Sequence, residues 1–128
     1  MNLLLDTHLL LWIAGRSSAL STPARDLIDD IDNTLWFSAA SIWEVAIKRS
    51  LGRDDFKTDP SVLRAGLLAN GYNELDINGR HTMSVVDLPN LHGDPFDRLL
   101  IAQSRSEGMI LLTADKRVAE YGGPVRLV

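Results

Sequence analysis

The sequence predicts an α/β protein with a central parallel sheet and helices on both of its faces. Short apolar runs, such as residues 2–5 and 109–112, alternate with longer segments of helical character, as in repeated strand–helix units. Both runs are almost continuously apolar, which is typical of parallel strands that are buried on both sides. A chain of 128 residues can form one domain with a core but is too short for two. We therefore expect a single domain over residues 1–128.

The strands are predicted from short apolar or aromatic runs that are bounded by turn-forming residues. They are expected at residues 2–5, 35–37, 72–77, 109–112 and 125–128. The helices are predicted from their end signals: Thr22-Pro23, Asp59-Pro60 and Asp94-Pro95 each place a capping side chain before a proline, and Gly108 ends a helix. Helices are expected at residues 7–14, 22–31, 39–50, 60–70, 78–86, 95–107 and 115–121.

Composition and charge exclude several classes of protein. The chain has no cysteine, which excludes disulfides, thiolate metal sites and a cysteine nucleophile. We find no export signal and no apolar run of the ~20 residues that a membrane span needs, so we expect a cytoplasmic protein without a membrane partner. The net charge of −4 argues against binding nucleic acid through a broad basic surface. A nucleic-acid partner would have to be held by a local basic patch and by metal ions.

Four acidic residues are expected to meet at one edge of the predicted sheet. Asp6 and Asp115 follow apolar strands, whereas Glu44 and Asp97 lie in predicted helices. Ligands of open parallel sheets bind beyond the carboxyl ends of the strands, where Asp6 and Asp115 are placed. A group of carboxylates without cysteine suits a hard divalent cation. The leading interpretation is therefore metal-assisted cleavage of a phosphodiester.

Each of these acids also has a purely structural interpretation. Asp6 and Asp115 could cap the helices that follow them. Glu44 could form an exposed ion pair with Lys48 four residues on, worth roughly 0.3–0.5 kcal/mol, and taken alone it fits that role better. Asp97 could stabilise the dipole of a helix that Asp94 caps.

No other group of residues predicts a competing chemistry. The serines and threonines lack a partner set for nucleophilic catalysis. The histidines at positions 8, 81 and 92 show no metal-ligand spacing and are expected at the surface or beside the site. Lys48, Arg98 and Lys116 lie near the acids in sequence and could contact a phosphate backbone, with Arg98 the best candidate.

Four stretches of the chain resemble the PIN-domain family, and more narrowly its VapC-type toxins of toxin–antitoxin pairs. They occur in the family's order and extend over nearly the whole chain. The stretches are Leu4-Leu5-Asp6-Thr7-His8, Ser38-Ala39-Ala40-Ser41-Ile42-Trp43-Glu44, His92-Gly93-Asp94-Pro95-Phe96-Asp97-Arg98-Leu99-Leu100-Ile101-Ala102-Gln103 and Leu112-Thr113-Ala114-Asp115. The third is quite specific, and the four together form a strong match.

The resemblance implies a three-layer α/β/α fold whose central parallel sheet has about five strands. It implies an endoribonuclease that depends on Mg²⁺ or Mn²⁺ and acts on RNA. The family's four acidic positions fall on Asp6, Glu44, Asp97 and Asp115, while Thr113 matches a position that often carries a hydroxyl beside the site. The resemblance also implies a homodimer that is inhibited by a cognate VapB-type antitoxin.

Three alternatives remain open at this stage. One is a catalytically inactive PIN-like module that binds RNA or serves in assembly, against which the complete set of acids argues. Another is a phospho-acceptor receiver domain, but receivers generally need an adjacent pair of acids after the first strand, and here Thr7 and His8 follow Asp6. A nuclease that acts on DNA is also possible, since carboxylate and metal chemistry does not itself distinguish the sugar.

Overall fold

A computed structural model describes residues 1–128, with five strands and seven α-helices. The strands are β1 (Asn2–Leu5), β2 (Thr34–Ser38), β3 (Asn73–Leu75), β4 (Ile110–Thr113) and β5 (Val125–Leu127). The helices are α1 (Thr7–Ala14), α2 (Thr22–Asp29), α3 (Ala39–Ser50), α4 (Pro60–Ala69), α5 (Gly79–Ser84), α6 (Pro95–Glu107) and α7 (Lys116–Ala119), and a 3₁₀ turn covers Val85–Asp87. None of these helices combines the length and the apolar character that crossing a membrane requires.

The five strands form one parallel sheet in the order β3-β2-β1-β4-β5. The central strand, β1, pairs with β2 on one side and with β4 on the other. After β1, the next two strands in the chain, β2 and β3, lie on one side of it. The chain then passes to the other side of β1, where β4 and β5 lie. The carboxyl ends of β1 and β4 therefore flank the point where the strand order reverses, which is where such sheets bind ligands.

Alternate residues of the central strands point to opposite faces of the sheet, and each face is covered by its own helices. Leu4 and Leu111 belong to a core cluster that also contains residues of α6 and α7. Leu3, Leu5 and Leu112 belong to a second cluster with residues of α1, α3 and α4. The period-two alternation of these buried leucines produces the predicted three-layer α/β/α architecture.

The predicted third strand is longer than the one that forms. Only Asn73–Leu75 pairs with β2, in a register that ends with Ser38 opposite Leu75. Beyond Ser38 the chain of β2 turns into α3, so the following residues of the edge strand have no partner. At the other end, the amide of Tyr72 donates to the carbonyl of Leu67 in α4 instead of joining the sheet.

Three helices are shorter than the sequence predicts by two or more residues because their ends are set by backbone geometry. The helix expected over residues 22–31 ends at Asp29, since Asp30 is extended. The helix expected over residues 78–86 ends at Ser84 and continues as the 3₁₀ turn. The helix expected over residues 115–121 comprises only α7, because Asp115 is its cap and not its first turn.

Candidate metal site

Asp6 is buried where β1 passes into α1, and the two oxygens of its carboxylate have separate partners. Oδ1 accepts a hydrogen bond from the amide of Leu9 at 3.0 Å and so caps α1. Oδ2 accepts a hydrogen bond of 2.5 Å from the hydroxyl of Thr113 at the end of β4. Asp6 therefore caps α1, as one interpretation of the sequence predicted. The same carboxylate is also held at the edge of the sheet, where it faces β4.

Thr113 also connects Asp6 to Asp115. The amide of Asp115 donates to Oγ1 of Thr113 at 3.0 Å, while the same hydroxyl donates to Asp6. Asp115 caps α7, since its Oδ1 accepts from the amide of Arg117 at 2.8 Å. Its other oxygen, Oδ2, lies 4.0 Å from Nε2 of His92, and 44% of the Asp115 side chain is accessible.

The first turn of α6 brings Asp97 to this edge. Asp94 caps the helix, because its Oδ1 accepts from the amides of Phe96 and Asp97 at 2.8 and 3.2 Å. Oδ2 of Asp97 lies 2.8 Å from Nε2 of His92, which in turn is 4.0 Å from Oδ2 of Asp115. One ligand atom each from His92, Asp97 and Asp115 lies within 4.8 Å of the other two, an arrangement that could hold one cation.

Glu44, the fourth predicted ligand, lies on the buried side of α3 and has both carboxylate oxygens engaged. Oε1 accepts a hydrogen bond of 2.6 Å from Thr7, whose hydroxyl is also 2.9 Å from that of Ser41. Oε2 is 2.5 Å from the ammonium nitrogen of Lys48. The ion pair with Lys48 thus exists, but the interpretation of it as an exposed surface pair is wrong, since only 3% of the Glu44 side chain is accessible.

Lys48 extends this pair to a second acid, because its Nζ also lies 3.2 Å from Oδ2 of Asp94. Burial alone lowers the pKa of Lys48, but the hydrogen bonds and charges of Glu44 and Asp94 outweigh burial and raise it. Burial likewise opposes the ionisation of Asp94, but bonds from the Asp97 amide and from Lys48 hold its pKa below the usual value. Lys48 and Asp94 are therefore charged at neutral pH.

The remaining acids are crowded by burial and by each other. Burial, followed by the negative charge of Asp94, raises the pKa of Asp97 to about 6. The hydrogen bond with His92 opposes that rise, whereas the charges of Glu44 and Asp6 add to it. Burial also raises the pKa of Asp6, although its bond from Thr113 acts in the opposite direction. Such excess negative charge in a partly desolvated site is relieved by a bound cation.

An open cleft of about 250 Å³ adjoins the acids at the carboxyl ends of β1 and β4. It is lined by Asp6, His8, Trp12, Ala114 and Asp115. The ring centres of His8 and Trp12 lie 6.1 Å apart in this lining. A polar ligand in this cleft would contact the acids directly.

From the sequence, His92 was expected at the surface or beside the site. In the structure its ring belongs to the cluster with Asp97 and Asp115. The imidazole is held through Nε2, while its buried Nδ1 has no hydrogen-bond partner in the protein. Its backbone amide donates to the hydroxyl of Tyr121 at 3.0 Å. The available signal was its position five residues before Asp97, within the most specific of the four motif stretches. His81, also expected at or near the surface, is fully buried and pairs with Glu107 at 2.8 Å.

The structure gives Arg98 a set of contacts within the protein. Its guanidinium donates to the carbonyls of Pro89 and Val85 at 2.9 and 3.2 Å, and to the hydroxyl of Tyr121 at 2.9 Å. These contacts tie α6 to the segment that carries His92. These hydrogen bonds engage the guanidinium of Arg98 within the protein. The expected contact between Arg98 and RNA therefore stays a prediction.

The fold and the site define a parallel α/β protein with carboxylates converging at the switch point of its sheet. The family model of the PIN domain matches residues 3–124, and the chain therefore belongs to the PIN-domain family. No curated protein matches the chain in sequence.

Solved structures share this fold over essentially the whole chain. VapBC2 from Rickettsia felis, bound to a DNA fragment from its promoter, is 16% identical with a TM-score of 0.71, over 100% of this chain and 98% of that one. VapBC-1 from nontypeable Haemophilus influenzae is 16% identical with a TM-score of 0.65, over 100% of this chain and 97% of that one. VapC20 from Mycobacterium tuberculosis, a Sarcin-Ricin loop cleaving toxin, is 12% identical with a TM-score of 0.67, over 94% of this chain and 95% of that one.

Proposed function

We propose that the chain is the toxin of a type II toxin–antitoxin module and acts as a metal-dependent endoribonuclease. Family membership and the likeness to VapBC complexes and to a VapC toxin support this proposal. The observation that carries it is the cluster of His92, Asp97 and Asp115, which a shared hydroxyl links to Asp6. The substrate is RNA, and the reaction is hydrolysis of a phosphodiester bond in the cytoplasm.

The donor set fits Mg²⁺ or Mn²⁺. Carboxylate oxygens are the preferred protein ligands of both ions, and an imidazole is compatible with Mn²⁺. Asp97 and Asp115 would hold the ion together with Asp6, and His92 would either hold it directly or orient Asp97. A bound dication supplies an activated water and neutralises charge on the phosphate.

The protein groups around the acids keep them in position. Thr113 donates to Asp6 and accepts from the Asp115 amide, which fixes both residues relative to each other. Asp94 caps α6 and fixes the turn from which Asp97 projects. Partners of this kind orient metal-binding carboxylates, and their loss typically costs 10–100-fold in metal affinity or activity.

The cleft beside Asp6 and Asp115 is the place where we expect the scissile phosphodiester to bind. Its wall of Trp12 and His8 offers faces on which an unpaired base could stack. The partners proposed with this function are a second copy of the chain and a cognate VapB-type antitoxin. The solved neighbours that are themselves toxin–antitoxin complexes support the antitoxin as a partner.

The experiment is to compare wild type with Asp6→Asn and Asp97→Asn. Both variants should lose Mn²⁺-dependent cleavage of RNA and relieve growth arrest on induced expression, because each removes a charged ligand. Circular dichroism and thermal unfolding should show that the variants remain folded. Asp54→Asn is the matched control, since Asp54 is exposed, forms no ion pair and should leave cleavage unchanged.

Full metal-dependent cleavage by both site variants would contradict the proposed function. Binding of RNA by wild type without any cleavage in Mg²⁺ or Mn²⁺ would favour the alternative, a catalytically inactive RNA-binding or assembly module. Mapping of the RNA ends after induction, with Asp6→Asn as the reference, would identify the cleaved RNA.

A further inference from the structure

The acidic site contains one cation of its own, the ammonium group of Lys48. Its Nζ lies 2.5 Å from Oε2 of Glu44 and 3.2 Å from Oδ2 of Asp94. The Lys48 side chain is largely buried, with 14% of it accessible. A charge at this depth is stable only if it is paired, and here two carboxylates from different helices provide the pairing.

Aromatic rings close the site around Lys48. Nζ lies 5.0 Å from the centre of the Phe56 ring and 5.6 Å from that of Phe96, both within the range of a cation–π contact. Phe56 is fully buried, and Phe96 packs edge-on against Trp43. The ammonium group is thus held between two anions and two aromatic rings, which is a built cation site and not a chance surface contact.

Both carboxylate oxygens of Glu44 are engaged within the protein by this arrangement. Its Oε2 faces Lys48, and its Oε1 faces Thr7. His92, Asp97 and Asp115, by contrast, have ligand atoms that converge within 4.8 Å with no lysine or arginine among them. The edge of the sheet therefore has one region that already holds a cation and one that does not.

We propose that Lys48 takes the place of a second divalent ion at Glu44, so that the chain binds a single catalytic dication near Asp97 and Asp115. This inference rests on the proposed function and specifies how many ions that function uses. A dication at Glu44 would have to sit beside a fixed ammonium group. Like charges in direct proximity repel each other strongly at the low effective dielectric constant of a partly buried site.

The test counts Mn²⁺ ions on the purified protein, from the electron paramagnetic resonance signal of free Mn²⁺ during titration. For each protein, the site ions are those bound in excess of the number that binds Asp97→Asn. Wild type should bind one, and Lys48→Arg should also bind one because it keeps the charge. Lys48→Met should bind two, since Glu44 and Asp94 are then free to hold a second dication. Lys57→Met is the matched control, because Lys57 is exposed and forms no ion pair, and it should bind one.

Thermal unfolding gives a second readout. In a chelator, Lys48→Met should unfold at a lower temperature than wild type, because Glu44 is left buried without its cation. Saturating Mn²⁺ should raise the unfolding temperature of Lys48→Met by more than that of wild type, since two ions bind and one of them replaces the lost charge.

A further variant keeps the proposal testable if Lys48→Met does not fold. The double change Glu44→Gln with Lys48→Met removes both charges of the buried pair and should bind one Mn²⁺ with an affinity within about threefold of wild type. Loss of that ion would overturn the proposal, because Glu44 would then be a ligand of the first dication. Two site ions on wild type, or a single ion on folded Lys48→Met, would also overturn it. Absence of any Mn²⁺ on wild type would refute the proposed function itself, and this inference with it.

Discussion

A single hydroxyl organises two acids at the centre of the site. Thr113 is fully buried, and its one proton is donated to Asp6 while its lone pairs accept from the amide of Asp115. Because the backbone amide of Asp115 can only donate, the hydroxyl oxygen of Thr113 accepts from it, and the hydroxyl proton is directed to Asp6. Thr113 therefore keeps the ionised form of Asp6 stabilised in a position where burial alone would favour its protonation.

Another buried hydroxyl, that of Tyr72, has no hydrogen-bond partner in the protein, and we expect its removal to change the stability. Oη of Tyr72 is buried and contacts no hydrogen-bond partner in the protein. Replacing Tyr72 by Phe removes a polar group whose burial costs about 1–3 kcal/mol when it is unpaired. We expect Tyr72→Phe to raise the free energy of unfolding at pH 7 by up to about 1 kcal/mol, as measured by urea denaturation.

The same substitution should also change the response to alkaline pH. Burial, with the nearby charge of Asp29, raises the pKa of Tyr72 to about 12. An unfolded tyrosine loses its proton near pH 10, whereas folded Tyr72 keeps its proton until about pH 12, so the folded state loses stability relative to the unfolded state as the pH rises from 10 towards 12. Wild type should therefore lose about 2 kcal/mol more than Tyr72→Phe over that interval. Parallel pH profiles of the two proteins would contradict this account of Tyr72.

The positions of Asp6 and Asp115 could be predicted from sequence, whereas the contact of His92 with Asp97 and the burial of Glu44 could not. Asp6 and Asp115 follow buried strands, so their place at the sheet edge depends only on the chain next to them. His92 reaches the site because its backbone is held by Tyr121, which lies 29 residues further along the chain. The burial of Glu44 likewise depends on side chains brought in by other elements. No local pattern in the sequence carries such long-range contacts.

At the scale of elements, α6 has the clearest start and stop signals. Asp94 and Pro95 begin the helix, and Gly108 ends it in the left-handed conformation with φ of 66°. The amides of Gly108 and Met109 both bond to the carbonyl of Ser104, which satisfies the last turn. The sequence predicted this helix with its correct bounds because its ends are encoded by single residues with strong conformational preferences.

A pair of glycine substitutions tests that interpretation. A Cβ at Gly108 would meet no atom within 4 Å, so Gly108→Ala should destabilise the protein by about 1–2 kcal/mol through backbone conformation alone. Gly66 lies exposed inside α4 and is equally free of neighbours. Gly66→Ala should therefore stabilise the protein by about 0.5–1 kcal/mol. Urea denaturation should show changes of opposite sign, and changes of the same sign would contradict the argument.

Elements whose ends depend on pairing were predicted less well. β3 ends where β2 turns into α3 and stops offering partners, not where the apolar run of residues 72–77 ends. α7 was predicted too long because Asp115 both follows a strand and caps a helix, and the sequence alone does not separate those roles. The order of the elements and the layered sheet followed from the sequence, since apolar periodicity determines both.

For the whole molecule, the balance of charge bears on how it could hold RNA. The chain has 17 acidic and 13 basic residues, and two of the cations near the site, Lys48 and Arg98, are engaged within the protein. Lys116 and Arg117 beside Asp115 are exposed, but an acidic protein gains less than a basic one from releasing counterions of RNA. Most of the attraction for a phosphate must then come from bound dications.

The expected result is that RNA affinity depends on dications. Binding of a short single-stranded RNA, measured by fluorescence anisotropy, should be at least about tenfold tighter in Ca²⁺ than in EDTA, equivalent to about 1.4 kcal/mol. A gel should show that the RNA stays intact during the measurement. Asp97→Asn should lose the difference, because it removes a ligand of the ion. Equal affinity of wild type in both buffers would show that protein side chains alone hold the RNA.

The position of β1 in the middle of the sheet has a consequence for the time at which activity arises. β1 is the first strand to be synthesised, yet its second neighbour, β4, is formed by residues 110–113. A nascent chain that has left the ribosome only as far as α5 contains Asp6 and Glu44 but neither Asp97 nor Asp115. Such an unfinished polypeptide cannot assemble the site, so under the proposed function it cannot cleave RNA until residues 97–115 have been synthesised.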